Sequence, residues 1–353
     1  MKKLTVVTVV LAVFMAASAY AQTTDFFELV ASGTPQQVQA AINSGAKVSA
    51  GNGESLVQYA GKLDYEPDTI ISFVGSGGVG ATPLMEAAAH NPNPEVVSLL
   101  LKAGAEIEAK DVAGRTPLMY AAAGNENPEV IAMLLKAGAD PKALTTDQRK
   151  IDGPVGNMTA LMLASAYNKN SEVIATLLKG GADINARDGA GETPLMFAAW
   201  DASPETISTL VMAGADVNAR DERGKTALMF AAACNQNLEV ITILLKAGVD
   251  LEAQNNVGAT PLMLAAAGNQ HPEVINTLLM AGAKLEAQSK HGDTALMLAA
   301  NQNQNPEVIT TLLKAGADAK VKDIDGKTAF DFAKDNEKLR GTDALKQLEE
   351  ASQ

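Results

Sequence analysis

The sequence predicts an all-α repeat solenoid, in which helix–turn–helix repeats joined by finger-like turns stack into one elongated core. A phrase of the form Thr-Pro-Leu-Met or Thr-Ala-Leu-Met recurs, and its threonines, counting a degenerate last copy at Thr328, lie 34, 43, 34, 33, 34, 34 and 34 residues apart. A second phrase, typified by Asn-Pro-Glu-Val and ending in Leu-Leu-Lys-Ala-Gly, follows the first. Aromatic residues form only 4% of a chain that is 47% hydrophobic, so the core must consist of small and aliphatic side chains in closely packed helices.

Residues 1–21 have the pattern of a secretory signal peptide. Two lysines precede an apolar stretch, which ends at the small-x-small cleavage site Ala19-Tyr20-Ala21. This pattern is typical of a bacterial Sec-type signal, so we expect cleavage after Ala21 and a periplasmic or secreted mature protein. The alternative is a buried N-terminal helix. No later apolar run reaches the length of about 18 residues that spans a bilayer, so we expect no membrane insertion after cleavage.

Each element of a repeat has its own local signal. The threonine is a helix N-cap and the following proline suits the first helical position, so each first phrase opens a helix. Asn-Pro-Glu opens a second helix, and a lysine in the last turn followed by glycine closes it. Asp-x-x-Gly after that predicts a tight turn. No repeat can bury its apolar face alone, so we expect about ten stacked repeats along the mature chain.

These signals divide the chain into five segments. The interval of ten residues between the proline that opens a second helix and the capping glycine also occurs at Pro35–Gly45 and Pro67–Gly77. The predicted segments are a signal peptide over 1–21, an N-terminal capping helix pair over 22–50, a degenerate repeat over 51–80, clear repeats over 81–327 and a charged C-terminal capping helix pair over 328–353.

Two repeats depart from the common length. Nine extra residues follow Gly138 and lie within 141–158, where they lengthen one finger; a tolerated surface insertion and a binding role are both open. The Thr193 repeat has an inter-helix turn one residue shorter than the others. It also carries Trp200, the single tryptophan of the chain, which either fills the space left by the short turn or anchors a partner.

The two phrases, repeated with this period, resemble the ankyrin repeat family, whose signature is Thr-Pro-Leu-His-x-Ala. Methionine stands where the family has histidine, as in Met119, so the chain looks like a bacterial, exported Thr-Pro-Leu-Met variant. An apolar thioether then fills the space of the histidine, which leaves the fold in place and puts its polar link in question. The resemblance implies a non-enzymatic scaffold, whose fingers and inner helices line a concave groove that binds a protein.

The composition argues against several other classes of function. With 28 basic and 41 acidic residues the net charge is −13, which disfavours nucleic acid and anionic membrane surfaces as partners. One cysteine and three histidines in different repeats supply neither a disulfide framework nor a metal site. The glycine pattern Gly75–Gly80 formally matches a dinucleotide-binding loop, but it falls at a helix-cap position between repeats. No catalytic set stands out, so we expect no enzyme activity, no cofactor and no metal.

We therefore expect a monomer that binds a partner protein of unknown identity. The alternatives are a secreted effector, an inhibitor that occludes a basic enzyme surface, and an enzyme. Contacts are expected at the fingers and at the ends of the first helices, because these positions vary while the frame stays fixed. Tyr167, Trp200 and Cys234 should form a short ridge there. The full set of candidate partner-binding residues is Tyr120, Arg149, Lys150, Tyr167, Trp200, Asp201, Arg223 and Cys234.

Overall fold

The structure, a computed structural model, describes residues 26–49, 80–146 and 156–353, and every regular element within those ranges is helical. The predicted signal peptide and, apart from Gly80, the predicted 51–80 repeat lie outside the described residues. After a helical segment at 26–32, the helices are α1 (Pro35–Asn43), α2 (Pro83–His90), α3 (Pro94–Lys102), α4 (Pro117–Gly124), α5 (Pro128–Lys136), α6 (Ala160–Tyr167), α7 (Ser171–Lys179), α8 (Pro194–Asp201), α9 (Pro204–Met212), α10 (Ala227–Cys234), α11 (Leu238–Lys246), α12 (Pro261–Gly268), α13 (Pro272–Met280), α14 (Ala295–Gln302), α15 (Pro306–Lys314), α16 (Ala329–Ala333), a 3₁₀ turn (Glu337–Leu339) and α17 (Asp343–Ser352).

The chain forms two compact units, one ending at Asp183 and one from Ile184 to Gln353. In the first unit the first helices of successive repeats, α2, α4 and α6, pack side by side, and so do the second helices α3, α5 and α7. In the second unit the corresponding layers are α8, α10, α12, α14 and α16, and α9, α11, α13, α15 and α17. The predicted stacking of helix pairs is therefore confirmed within each unit.

The core lies between these two layers of helices. In a typical repeat, Leu118 of the first helix and Ile131 and Leu134 of the second are fully buried. Ala121 and Ala122 are also fully buried, and their small side chains let the neighbouring first helices approach closely. Removal of this aliphatic surface from water stabilises the stack by about 25 cal/mol per Å². Within the described residues, no helix has the length and apolar character needed to cross a bilayer.

The methionines of the first phrase act as hydrogen-bonding caps. In the repeat that begins at Thr116, the threonine N–H donates to Sδ of Met119 at 3.4 Å, and the Met119 N–H donates to Oγ1 of Thr116 at 3.4 Å. The same N–H to thioether bond forms at Thr82, Thr159, Thr193, Thr260 and Thr294. The thioether sulfur of methionine is a weak hydrogen-bond acceptor. The polar link that the sequence put in question is thus made by the methionine.

A buried asparagine in the inter-helix turn of the common repeat joins neighbouring repeats. Nδ2 of Asn125 donates to the carbonyls of Ala88 and Asn91 in the preceding repeat, at 2.9 and 2.8 Å. Its Oδ1 accepts the N–H of Asn127 at 2.9 Å, which shapes the turn. The equivalent asparagines elsewhere are Asn91, Asn168, Asn235, Asn269, Asn303 and Asn336. The short Thr193 repeat has Ala202 at this position, and alanine has no side-chain amide to donate.

The N-terminal helix pair packs directly on the repeat that begins at Thr82. Helix α1 contacts α3, and Nδ2 of Asn91 donates to the carbonyls of Val30 and Gly33, both at 3.0 Å. These are the contacts of adjacent repeats. The predicted repeat over 51–80, which lies outside the described residues apart from Gly80, stays a prediction.

Candidate functional site

Each finger is held by a polar residue at its start. Oδ1 of Asp111 accepts the N–H groups of Ala113 and Arg115 at 2.9 and 2.8 Å. Asp188 accepts the N–H groups of Ala190 and Glu192 in the same way, at 2.9 and 2.8 Å. In these two fingers the turn brings the residue that precedes the threonine cap next to the carboxylate. We use the term finger slot for a set of three residues: the aspartate, the residue four positions after it, and the aromatic residue five positions after that.

The finger slot of the first unit consists of Asp111, Arg115 and Tyr120, and it is electrostatically closed. The side chain of Asp111 is fully buried, and its Oδ2 accepts Nε–H of Arg115 at 2.7 Å and the hydroxyl of Tyr120 at 2.8 Å. The Arg115 guanidinium carbon lies 4.9 Å from the centre of the Tyr120 ring. The cation therefore contacts both a carboxylate and an aromatic ring, a strong pairing for arginine.

The first finger slot of the second unit consists of Asp188, Glu192 and Phe197, and none of these three residues is a cation. Both carboxylates are half-buried. Burial raises the pKa of Asp188, and Asp221 and Glu222 raise it further against the lowering effect of the backbone N–H bonds. Burial also raises the pKa of Glu192, and Asp188 and Asp221 add to the rise against the lowering effect of Lys225 and Arg223. In the described part of the chain, neither carboxylate forms an ion pair.

The next finger slot consists of Asp221, Lys225 and Phe230. Asp221 is buried and its Oδ1 accepts the backbone N–H of Lys225 at 2.6 Å. The Lys225 ammonium lies 5.3 Å from the centre of the Phe230 ring, so this cation faces the ring and not the carboxylate. Lys225 also lowers the pKa of Glu192, which places its charge near the preceding slot.

Trp200 is the largest exposed aromatic side chain of the second unit. It is 57% exposed, and its ring lies on Phe230, with the centroids 5.9 Å apart and the planes tilted by 32°. Phe230 itself is only 5% exposed. Trp200 thus covers a core residue with one face and presents the rest of its ring to solvent, so it does not fill a core space. We define the Trp200 surface by the residues Asp188, Glu192, Phe197, Trp200 and Phe230.

The remaining candidate residues are dispersed. Tyr167 is 67% exposed at the end of α6 in the first unit, whereas Trp200, Asp201 and Cys234 belong to the second unit, so the ridge expected from Tyr167 to Cys234 stays a prediction. Asp201 and Cys234 are exposed at the ends of α8 and α10. Partial desolvation raises the pKa of the Cys234 thiol, although Lys225 lowers it, which favours the less reactive neutral thiol.

The fingers hold the other candidates. Arg223 is exposed, and its carbonyl accepts the N–H of Asn256 at 2.9 Å. Arg149 and Lys150 lie outside the described residues. The base of their finger is described: Thr145 N–H donates to the Met158 carbonyl at 3.0 Å, which matches the Asp111 to Arg115 bond of the preceding finger. The two ends of the predicted insertion are therefore close together.

Sequence reasoning missed Asp188, Glu192, Lys225 and Phe230. The sequence did contain a pointer to them, because the residue before the threonine varies in charge from one repeat to another. Examples are Arg115, Glu192, Lys225 and Ala259. The convergence of that residue with the finger aspartate and with an aromatic side chain becomes visible only in the folded repeat.

A family model described as ankyrin repeats (3 copies) matches residues 26–145, 143–221, 195–289 and 262–349. These matches together extend over both compact units. No curated protein matches the chain.

Proposed function

Because the chain belongs to the ankyrin repeat family, we propose that it is an exported, non-enzymatic scaffold that binds a partner protein through the concave groove of its fingers and first helices. Ankyrin repeats are generally scaffolds for protein–protein interaction. We propose that it acts in this way as an exported monomer without catalytic activity.

The observation that carries the proposal is the exposure of Trp200. Most first helices end in small residues, such as Ala123-Gly124 and Ala267-Gly268, whereas α8 ends in Trp200-Asp201. A tryptophan that is 57% exposed but rests on a buried phenylalanine is held in place before a partner arrives, so little conformational entropy is lost on binding. Tryptophan is also the residue type most enriched among binding hot spots, where truncation costs at least about 2 kcal/mol.

The test is crosslinking and affinity purification of the mature protein from its native envelope fraction, with three forms compared. Trp200→Ala should lose the crosslinked partner. Met280→Ala is the matched control, because Met280 is an 89% exposed apolar residue at the end of a second helix. It should capture the partner like the unaltered protein. Equal capture by all three forms would exclude the Trp200 surface from binding.

Export has a separate test. N-terminal sequencing of the protein recovered from the envelope fraction should begin at Gln22. Full-length chain recovered only from the cytosol would contradict the proposed localisation.

A further inference from the structure

The finger slot of the first unit provides an internal precedent for arginine recognition. Its guanidinium is held between the Asp111 carboxylate, 2.7 Å from Nε, and the Tyr120 ring, 4.9 Å from Cζ. Arginine suits this arrangement because its planar group donates along its edge and stacks on its face.

The corresponding slot of the second unit keeps the carboxylate and the ring but replaces the cation by a second carboxylate. Glu192 stands at the position of Arg115, and Phe197 follows it at the same offset as Tyr120. Arg187 is adjacent to Asp188 in the chain, but its guanidinium donates to the carbonyl of Arg220. Two half-buried like charges are thus left side by side, which destabilises the folded state.

We infer that the partner protein supplies a cation to this slot, as an arginine side chain that binds Asp188 and Glu192 and stacks against the ring of Phe197, which stands at the position of Tyr120. The inference rests on the proposed function, and it names the chemistry of the partner at that surface. The Asp201 carboxylate beside Trp200 and the net charge of −13 make the surrounding field favourable for a cationic segment.

Guanidinium fits the slot better than the other common cations. A lysine ammonium is a point charge that can contact a carboxylate or a ring, but it lacks the planar face and the forked edge with which a guanidinium contacts both at once. A divalent metal ion takes more ligands than two carboxylates offer, and in the described residues no group of three or more histidine, cysteine or acidic side chains is placed to hold one.

A double variant, Asp188→Asn with Glu192→Gln, removes the two charges and keeps the turn. The same turn is made by an asparagine elsewhere in the chain: Oδ1 of Asn255 accepts the N–H groups of Val257 and Ala259 at 3.1 and 2.9 Å. The matched control is Glu349→Gln with Glu350→Gln, which changes the net charge equally at two exposed positions of α17.

Trp200 is the only tryptophan, so its indole N–H signal in an NMR titration reports directly on this surface. The probes are three capped pentapeptides, Ala-Leu-X-Leu-Ala, in which X is arginine, lysine or citrulline, the last being a neutral analogue of arginine. We expect the arginine peptide to bind at least about tenfold more tightly than the citrulline peptide, and more tightly than the lysine peptide. The Asp188→Asn, Glu192→Gln variant should weaken arginine binding about tenfold, and the α17 control should not.

Any one of four results would overturn the inference. The arginine peptide could bind no more tightly than the citrulline peptide or no more tightly than the lysine peptide. No peptide could give a response, or the double variant could bind the arginine peptide as tightly as the unaltered protein. The capture experiment separates this failure from a failure of the proposed function. A partner lost from Trp200→Ala but retained by the double variant would leave the scaffold function intact and exclude the arginine. A partner retained by both variants would exclude the surface altogether.

Discussion

The two compact units contain the same finger slot in two electrostatic states. In the first unit, Asp111 is buried and bonded to a guanidinium and a phenol. In the second unit, Asp188 is half-buried beside Glu192 and forms no ion pair. Both slots have the same backbone turn, so the fold does not require either state. The difference indicates that a closed slot adds to the stability of its repeat, whereas an open slot reduces it and leaves groups available for a partner.

The largest expected effect comes from opening the closed slot. Arg115→Ala would leave the buried Asp111 carboxylate without its cation, and breaking a buried pair costs about 3–5 kcal/mol. We expect a loss near the lower end, about 3 kcal/mol, because Arg115 is itself 37% exposed on its side chain and the Tyr120 bond remains. Urea denaturation followed by circular dichroism measures it.

Lys225→Ala is the control for that experiment. Lys225 occupies the same position in the next slot, but its ammonium lies over a ring and forms no ion pair with Asp221, so its removal should cost no more than about 1 kcal/mol. Equal losses for the two variants would show that the Asp111 to Arg115 pair contributes nothing specific.

The repeat frame could be predicted from the sequence because its signals are local. Threonine caps, prolines at the first helical position and capping glycines fix where helices begin and end, and the structure confirms helices such as Pro117–Gly124 and Pro128–Lys136. The roles of Asn125 and Met119 could not be predicted, since an asparagine in a turn and a methionine in a helix have common structural explanations. Their partners lie in a neighbouring repeat or on a backbone N–H.

The candidate site was predicted only in part for a similar reason. Trp200 was singled out by its size and its short repeat, but whether its ring pointed inward depended on the packing of Phe230 in the next repeat. The finger slot brings together residues four and nine positions apart, such as Asp111, Arg115 and Tyr120, in a turn of irregular backbone. No helical or strand period predicts that contact.

The second-largest expected loss of stability comes from replacing a buried inter-repeat asparagine, and such asparagines occur in both units. Nδ2 of Asn125 donates to two buried carbonyls, whereas Nδ2 of Asn235 donates only to Ala199, at 3.2 Å. Leaving a buried acceptor unsatisfied costs about 1–3 kcal/mol. We expect Asn125→Ala to lower the unfolding free energy by about 2–3 kcal/mol and Asn235→Ala by about 1 kcal/mol less.

Urea denaturation of both alanine variants, under identical conditions, measures that difference. A larger loss for Asn235→Ala would mean that the short Thr193 repeat relies more on its neighbour than the hydrogen bonds suggest.

Closing the open slot should have a smaller effect of opposite sign. Glu192→Arg places a guanidinium where Arg115 stands in the first unit and removes the repulsion with Asp188. A hydrogen bond to a charged group contributes about 1.5–3 kcal/mol. The absence of a hydroxyl on Phe197 and the nearby charges of Lys225 and Arg223 reduce the gain, so we expect stabilisation of about 1 kcal/mol. Trp200 fluorescence during urea denaturation reports on this unit.

The same variant should no longer bind the arginine peptide, because its own guanidinium occupies the slot. Phe197→Tyr alone serves as the control: it adds the missing hydroxyl without adding a cation, and it should leave peptide binding within about twofold. A Glu192→Arg variant that is less stable than the unaltered protein would show that the two slots differ in geometry as well as in charge.

The smallest expected effect is the pH dependence of the open slot. Burial and neighbouring carboxylates raise the pKa values of Asp188 and Glu192 in the folded state. The folded protein therefore holds these two protons more tightly than the unfolded chain, in which carboxyl pKa values are about 3.9 and 4.3. The stability linked to the two groups is present in full below about pH 4 and is lost as the pH rises through the two raised pKa values.

The Asp188→Asn, Glu192→Gln variant makes this loss measurable, because it keeps the turn and removes both titrating groups. We expect it to be more stable than the unaltered protein at pH 7, by less than about 1 kcal/mol for two half-buried groups, and this advantage should shrink as the pH falls towards 4. Taking the difference at each pH cancels other groups, such as Glu86, whose pKa is raised by burial. The Glu349→Gln, Glu350→Gln control should show no such trend. An advantage that instead grows at low pH would mean that the folded state lowers the pKa values of Asp188 and Glu192, and the second slot would then be closed like the first.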